Sequence, residues 1–120
     1  MFNNNEPIFI QIARWIENRI IDGTYKEETQ IMSTTEMSLL YKVNPATILK
    51  GYNLLIDKNI IYKKRGLGMF VNTGALDLLV ENKKTILLSN EVSKLIKQAK
   101  ALKITKEELI SEIEKEYTND

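Results

Sequence analysis

The sequence contains neither cysteine nor histidine. The first absence excludes disulfides and thiolate metal sites. The second removes the commonest general base and the commonest zinc ligand. Neither cofactor nor metal is expected, and no constellation of the remaining carboxylates, Lys, Tyr, Ser or Thr implies an enzyme. No apolar run approaches the roughly 18–20 residues that span a bilayer. Residues 1–6 lack the basic and apolar regions of a secretory signal. These absences point away from the membrane and towards the cytoplasm. Proline is scarce, with two residues, so each one marks a position.

What is present is 120 residues of ordinary globular composition, enough for one modest core. Net charge is only +1, but it is unevenly spread. Between Lys42 and Arg65 stand Lys42, Lys50, Lys58, Lys63, Lys64 and Arg65 against the single acid Asp57, a local +5. The stretch from Glu107 to Asp120 holds six acids and one Lys, a local −5. A basic stretch of this kind suits a polyanion.

Pro7 suits a first helical position. Ile8, Ile12, Trp15, Ile16 and Ile20 follow at helical spacing, with Phe9 and Ala13 filling the stripe, and Gly23 supplies a left-handed stop. This predicts a helix over 7–22, with Gln11 on its surface. Ser33-Thr34-Thr35-Glu36 is a capping box opening a short helix over 34–41, whose apolar face would be Met37, Leu39 and Leu40. After the turn Tyr41-Lys42-Val43, Asn44 caps and Pro45 starts a third helix over 45–57. Its expected buried stripe is Ile48, Tyr52, Leu55 and Ile56, with Asn59 as a left-handed stop. Residues 60–65 read as a strand, Gly66-Leu67-Gly68 as a tight turn and 69–72 as the returning strand. Helix, helix, turn, helix and hairpin form a winged helix-turn-helix, so the fold class is mainly α with one β-hairpin.

Such a fold places the N-terminal residues of its third helix in the major groove of DNA. Here those are Asn44, Ala46 and Thr47, with Leu49 and Lys50 one turn later. Asn can pair with adenine, methyl groups of Ala and Thr can touch thymine, and Lys can reach guanine or phosphate. Ser33, Thr34 and Thr35 stand at a helix N-terminus whose amides suit a phosphate. Lys63, Lys64 and Arg65, with the slim Gly66 and Gly68, form a basic wing tip able to approach the backbone or minor groove.

The runs 7–12, 21–23, 33–37, 43–48 and 65–71, taken in this order, resemble the GntR family of bacterial regulators. The Asn44-Pro45-x-Thr47 helix start and the short helical C-terminal part resemble its YtrA-type branch. The resemblance implies a dimeric repressor of a palindromic operator, often near transporter genes. Thr35 and Leu49 stand where relatives carry arginine, and Gly51 where alanine is usual. Modest affinity, or an A·T-rich operator read through Thr, Asn and groove shape, is the corresponding expectation. A winged helix serving as a protein-interaction or adaptor module is the alternative.

Thr73-Gly74 marks a junction, dividing a DNA-binding domain over 1–72 from a helical dimerisation segment over 73–120. The second part reads as one long helix interrupted near Leu88-Ser89-Asn90, then a last helix opened by a capping box at Thr105-Lys106-Glu107-Glu108. Leu79, Leu87, Val92, Leu95 and Ile96 form an apolar stripe that a second copy of the chain would cover in a homodimer. The segment is short for a separate sensory domain, which leaves a small-molecule effector open.

Overall fold

The computed structural model describes residues 2–119. Its elements run α1 (Ile8–Ile21), α2 (Thr34–Tyr41), α3 (Pro45–Asp57), β1 (Ile61–Lys64), β2 (Gly68–Val71), α4 (Ala75–Ile86), a π-helical turn (Leu87–Glu91), α5 (Val92–Ala101) and α6 (Lys106–Thr118). The chain divides into two compact units between Glu81 and Asn82.

In the first unit, α1 buries Ile12, Ala13, Ile16 and Ile20. Pro7, expected as the first helical residue, is instead the N-cap with ψ of 136°, and the helix starts at Ile8. The α1 stripe packs on α3, which buries Ile48, Gly51, Tyr52 and Leu55. Close approach is possible because Gly51 has no side chain. A Cβ there would lie 2.8 Å from the Phe9 carbonyl oxygen and 3.1 Å from Ile12 Cγ2. Ile56 is only half-buried beside this core.

Both helices of the helix-turn-helix start as their caps dictate. The Ser33 hydroxyl accepts from the Glu36 amide at 3.0 Å, and the Glu36 carboxylate accepts from the Ser33 amide at 3.3 Å. The Asn44 side chain accepts from the Ala46 amide at 2.8 Å. Between them Lys42 takes a left-handed φ of 55°, and the Ser38 hydroxyl donates to the Val43 carbonyl at 2.6 Å. The apolar face expected for α2 needs correction. Met37 is buried, but Leu39 and Leu40 are 76 % and 61 % exposed. Tyr41 and Val43, further along the chain, pack on the core instead.

The hairpin is antiparallel, with Ile61 opposite Val71 and Lys64 opposite Gly68. Its core side is Ile61, Met69 and Val71. A segment with no regular pattern in the sequence, residues 28–31, runs beside β2 and meets it at a single antiparallel bridge, Gln30 opposite Phe70. Glu28 N–H donates to the Val71 carbonyl at 2.8 Å, Val71 N–H to Thr29 at 3.0 Å, and Ile31 N–H to Met69 at 2.9 Å.

The first unit also extends beyond the expected boundary at residue 72. Ala75 and Leu79 of α4 are buried in its core cluster. Leu79, expected at a dimer interface, is only 4 % exposed and is therefore a core residue. Its side chain is already covered by its own chain.

In the second unit the interruption expected near 88–90 is a π-helical turn, within which the Ser89 hydroxyl donates to the Thr85 carbonyl at 2.6 Å. Thr105 caps α6 by accepting from the Glu108 amide at 3.1 Å, one half of the expected box. Val92, Leu95 and Ile96 of α5 and Leu109, Ile110 and Ile113 of α6 line an apolar groove of about 570 Å³. Leu87 is exposed outside that groove lining.

Candidate nucleic-acid interface

The helix-turn-helix and the wing are joined by the chain between α1 and α2. Segment 28–31 pairs with β2 and then leads directly into Ser33, the cap of α2. Just before it, the Met32 carbonyl accepts from Tyr52 Oη of α3 at 2.6 Å, and the Met32 amide donates to Tyr25 Oη at 3.3 Å. Burial pushes the Tyr52 hydroxyl's pKa upward, so it stays protonated as a donor. The start of α2, the middle of α3 and the wing are thus tied to one short stretch of backbone.

Two side chains of that stretch hold the wing, and the sequence reading missed both. The Gln30 side-chain amide donates to the Leu67 carbonyl at the wing tip at 2.6 Å. Gly68 makes the contact possible: its φ is +121°, and a Cβ there would lie 2.7 Å from Gln30 Nε2. At the wing base the Glu28 carboxylate accepts from Tyr62 Oη at 2.5 Å and from the Thr73 hydroxyl and amide at 2.8 and 3.0 Å. The Tyr62 bond, followed by those from Thr73, holds the Glu28 carboxyl below its ordinary pKa. Glu28 itself has a left-handed φ of 62°. No local sequence pattern encodes these contacts, because the partners of Gln30 and Glu28 are 34 to 45 residues away.

The basic wing residues are exposed but not equivalent. Lys64 Nζ sits 4.5 Å from the centroid of Phe70, whose ring leans on Tyr62. Lys63, Arg65 and Gly66 are exposed around the tip, and Leu67 beside them is exposed as well.

On α2, Ser33 and Thr34 are half-buried and Thr35 is exposed. On α3, Ala46, Lys50 and Asn53 are exposed opposite the buried Ile48, Tyr52 and Leu55, and Leu49 is exposed on the flank. The caps and contacts alter what the candidate readers can do. Asn44 uses its carbonyl oxygen to cap, which leaves its NH₂ to donate. Lys50 Nζ lies 4.2 Å over the ring of Phe9, drawn back against α1 by a cation–π contact. Thr47 is half-buried at the edge of an open groove of about 560 Å³, lined also by Phe2, Ile8, Leu40, Tyr41 and Val43.

Gln11 also has a structural task beyond the surface position expected of it. Its side chain donates to the carbonyls of Asn3 and Glu6 at 2.7 and 2.9 Å and accepts from the Asn3 amide at 3.0 Å. It folds residues 3–6 onto α1, and Phe2 meets Tyr41 edge-to-face at 5.8 Å. Among the described residues, no helix is long and apolar enough to cross a membrane, and no group of three acidic side chains gathers to hold a metal ion.

No family model matches the sequence. Individual proteins do. The chain is 32 % identical to the uncharacterised HTH-type transcriptional regulator YhcF of Bacillus subtilis (strain 168), over 93 % of this chain and 91 % of that protein. It is 34 % identical to a solved transcriptional regulator of the GntR family from Bacteroides thetaiotaomicron, with a TM-score of 0.79, covering 92 % of this chain and 96 % of the other. The DNA-binding domain of AraR, solved in complex with operator ORR3, shares the fold at 24 % identity, covering 59 % of this chain and 86 % of that one, with a TM-score of 0.55.

Proposed function

The chain belongs to the GntR family of transcriptional regulators and is a regulator rather than an enzyme; from that premise we propose that it is a dimeric repressor of a palindromic operator, of the YtrA-like branch, controlling genes linked to transport. The observation that carries the reading is the tie between the two DNA-facing elements. A basic wing is fastened at tip and base to the stretch of backbone that caps α2 and braces α3. A wing fixed relative to a recognition helix suits simultaneous contact with the backbone and the major groove. The AraR domain of the same fold is seen on an operator.

In this reading Ser33, Thr34 and Thr35 meet phosphate at the α2 N-terminus. Lys63, Arg65 and Gly66 approach the backbone beside the wing, with Lys64 held nearer its own sheet. Ala46 and Thr47 face the bases, Asn44 donates from its free NH₂, and Lys50 reaches phosphate only by leaving Phe9. Division into a DNA-binding part and a pairing part follows, with the boundary at 81 rather than 72.

The dimer rests on the second unit. Its groove between α5 and α6 is open and almost wholly apolar in its lining, and Leu87, Leu95 and Ile96 are exposed. Leaving so much apolar surface in water is unfavourable, and a two-fold partner presenting the same groove removes it. Leu87, Val92, Leu95 and Ile96 are the proposed interface. Two chains would then offer two recognition helices to two half-sites. No effector is assigned.

Footprinting on the DNA upstream of the chain's own operon tests the reading. Protection of an inverted repeat is expected, with duplex affinity falling steeply as salt rises. Absence of duplex binding even at low salt would reject it. That outcome favours a protein-interaction module, for which the exposed Leu39 and Leu40 of α2 are the specific support.

A further inference from the structure

We propose that Leu49 reads the 5-methyl group of thymine, making it a specificity-determining residue of the recognition helix. The inference rests on the DNA-binding reading above and names the base chemistry that this helix prefers.

Three observations lead to it. First, Leu49 is 44 % exposed in the middle of α3, on the flank between the buried stripe of Ile48, Tyr52 and Leu55 and the exposed Ala46. A solitary exposed leucine means little by itself. This one follows Ala46 by three residues, so two apolar side chains adjoin on one helix face. Second, the cation beside it is withdrawn. Lys50 is the sole basic residue of α3, and its ammonium sits 4.2 Å over the Phe9 ring. Third, Asn44 at the start of the helix has its acceptor engaged by the Ala46 amide. The cap fixes the orientation of that amide, so bidentate pairing with adenine is open only to a base that meets it in the capped pose.

Between Asn44 and Asn53 the exposed surface of α3 thus carries the Ala46 methyl and the Leu49 isobutyl group side by side, with the Lys50 ammonium resting over Phe9. Major-groove edges present one apolar group, the thymine methyl, and apolar side chains recognise it by contact. A guanine set against Leu49 would leave its O6 and N7 acceptors facing the isobutyl group, which offers no donor in return. The preference is therefore positive for thymine and negative for guanine at the same step.

The test starts by selecting duplexes from a pool with a randomised core, using the full chain at low salt. The selected duplex is then made with thymine or with deoxyuridine, which lacks only the methyl group. Wild-type protein is expected to bind the deoxyuridine form about fourfold more weakly for each contacted methyl, the effect of burying one such group. Leu49→Ala should bind the thymine duplex more weakly and lose most of the difference between the two forms, while its melting temperature stays at the wild-type value. Coupling of the two changes in a double-mutant cycle is the signature of direct contact. Leu49→Arg should move the selected site towards G·C and steepen the salt dependence. Equal affinity for the thymine and deoxyuridine forms, or selected half-sites without thymine, would overturn the inference while leaving DNA binding intact. Failure to enrich any duplex would reject both readings together.

Discussion

The two units of this chain solve the burial problem differently. The first closes on itself: α1, α3, the hairpin and the start of α4 share one core, in which Ile12, Ile16, Met37, Ile48, Tyr52 and Leu55 are fully buried. The second has Ala99 as its only fully covered apolar side chain among the described residues, while Leu87, Leu95, Ile110 and Ile113 remain exposed. Close packing suits a part that must hold recognition groups at fixed positions. An uncovered apolar groove suits a part whose stability comes from a partner. Under the proposed function, the contrast puts rigidity with the reading unit and association with the other.

The strongest way to break that contrast is a charge in the groove. Ile96→Asp places a carboxylate where a partner's apolar surface would otherwise lie, and burying an unpaired charge is strongly unfavourable. Sedimentation should show a monomer. Affinity for a palindromic duplex should fall by about 10²–10⁴-fold, the loss of linked binding of two half-sites. The first unit should keep its melting transition. An Ile96→Asp chain that stays dimeric would remove the groove from the interface.

Within the first unit the contrast is sharpened at Gly51. Alanine normally improves a helix interior over glycine by about 1 kcal/mol. Here its Cβ would meet the backbone oxygen of Phe9 at 2.8 Å, which no side-chain rotation relieves. Gly51→Ala should therefore destabilise, by about 1–3 kcal/mol for overpacking, in chemical denaturation. A stabilised variant would mean that α1 and α3 have slack. A smaller effect is expected from Tyr52→Phe, which removes the buried bond to the Met32 carbonyl. The loss should be about 1 kcal/mol by the same measurement.

Legibility in the sequence followed the range of the interaction. Caps and stops are local, so Ser33, Asn44, Gly23 and Asn59 were readable and stand where their chemistry places them. The bridge from segment 28–31 to β2 was not, because it depends on residues some forty positions away. The α2 face was misread at Leu39 and Leu40, since an eight-residue helix gives periodicity too little length to select a side. Leu79 was misassigned because a buried stripe looks the same whether its own chain or a partner covers it. At the site, residue type suggested Lys50 as a reader, but only the structure shows Phe9 beneath its ammonium.

The smallest expected effect concerns how the wing is fastened, and it is read through pH. The Glu28 carboxylate accepts from Tyr62 and Thr73, and those bonds depress its pKa in the folded chain. A depressed carboxyl contributes stability above its unfolded pKa and loses it as pH falls through the folded one. Glu28 is fully exposed, so solvent screens the contribution and a small shift in melting temperature is expected. Glu28→Gln keeps the shape but not the charge. Wild type should melt slightly above Glu28→Gln at neutral pH, and the two should converge on acidification below the usual carboxylate range. A gap that is constant with pH would attribute the wing base to the shape of residue 28 rather than to its ionised carboxylate. With Gln30→Ala as the companion variant, faster amide exchange should be confined to the wing tip, because Gln30 holds Leu67 and Glu28 holds the base. The two fastenings are therefore separable, and the rigidity assigned to the reading unit can be removed from one end of the wing at a time.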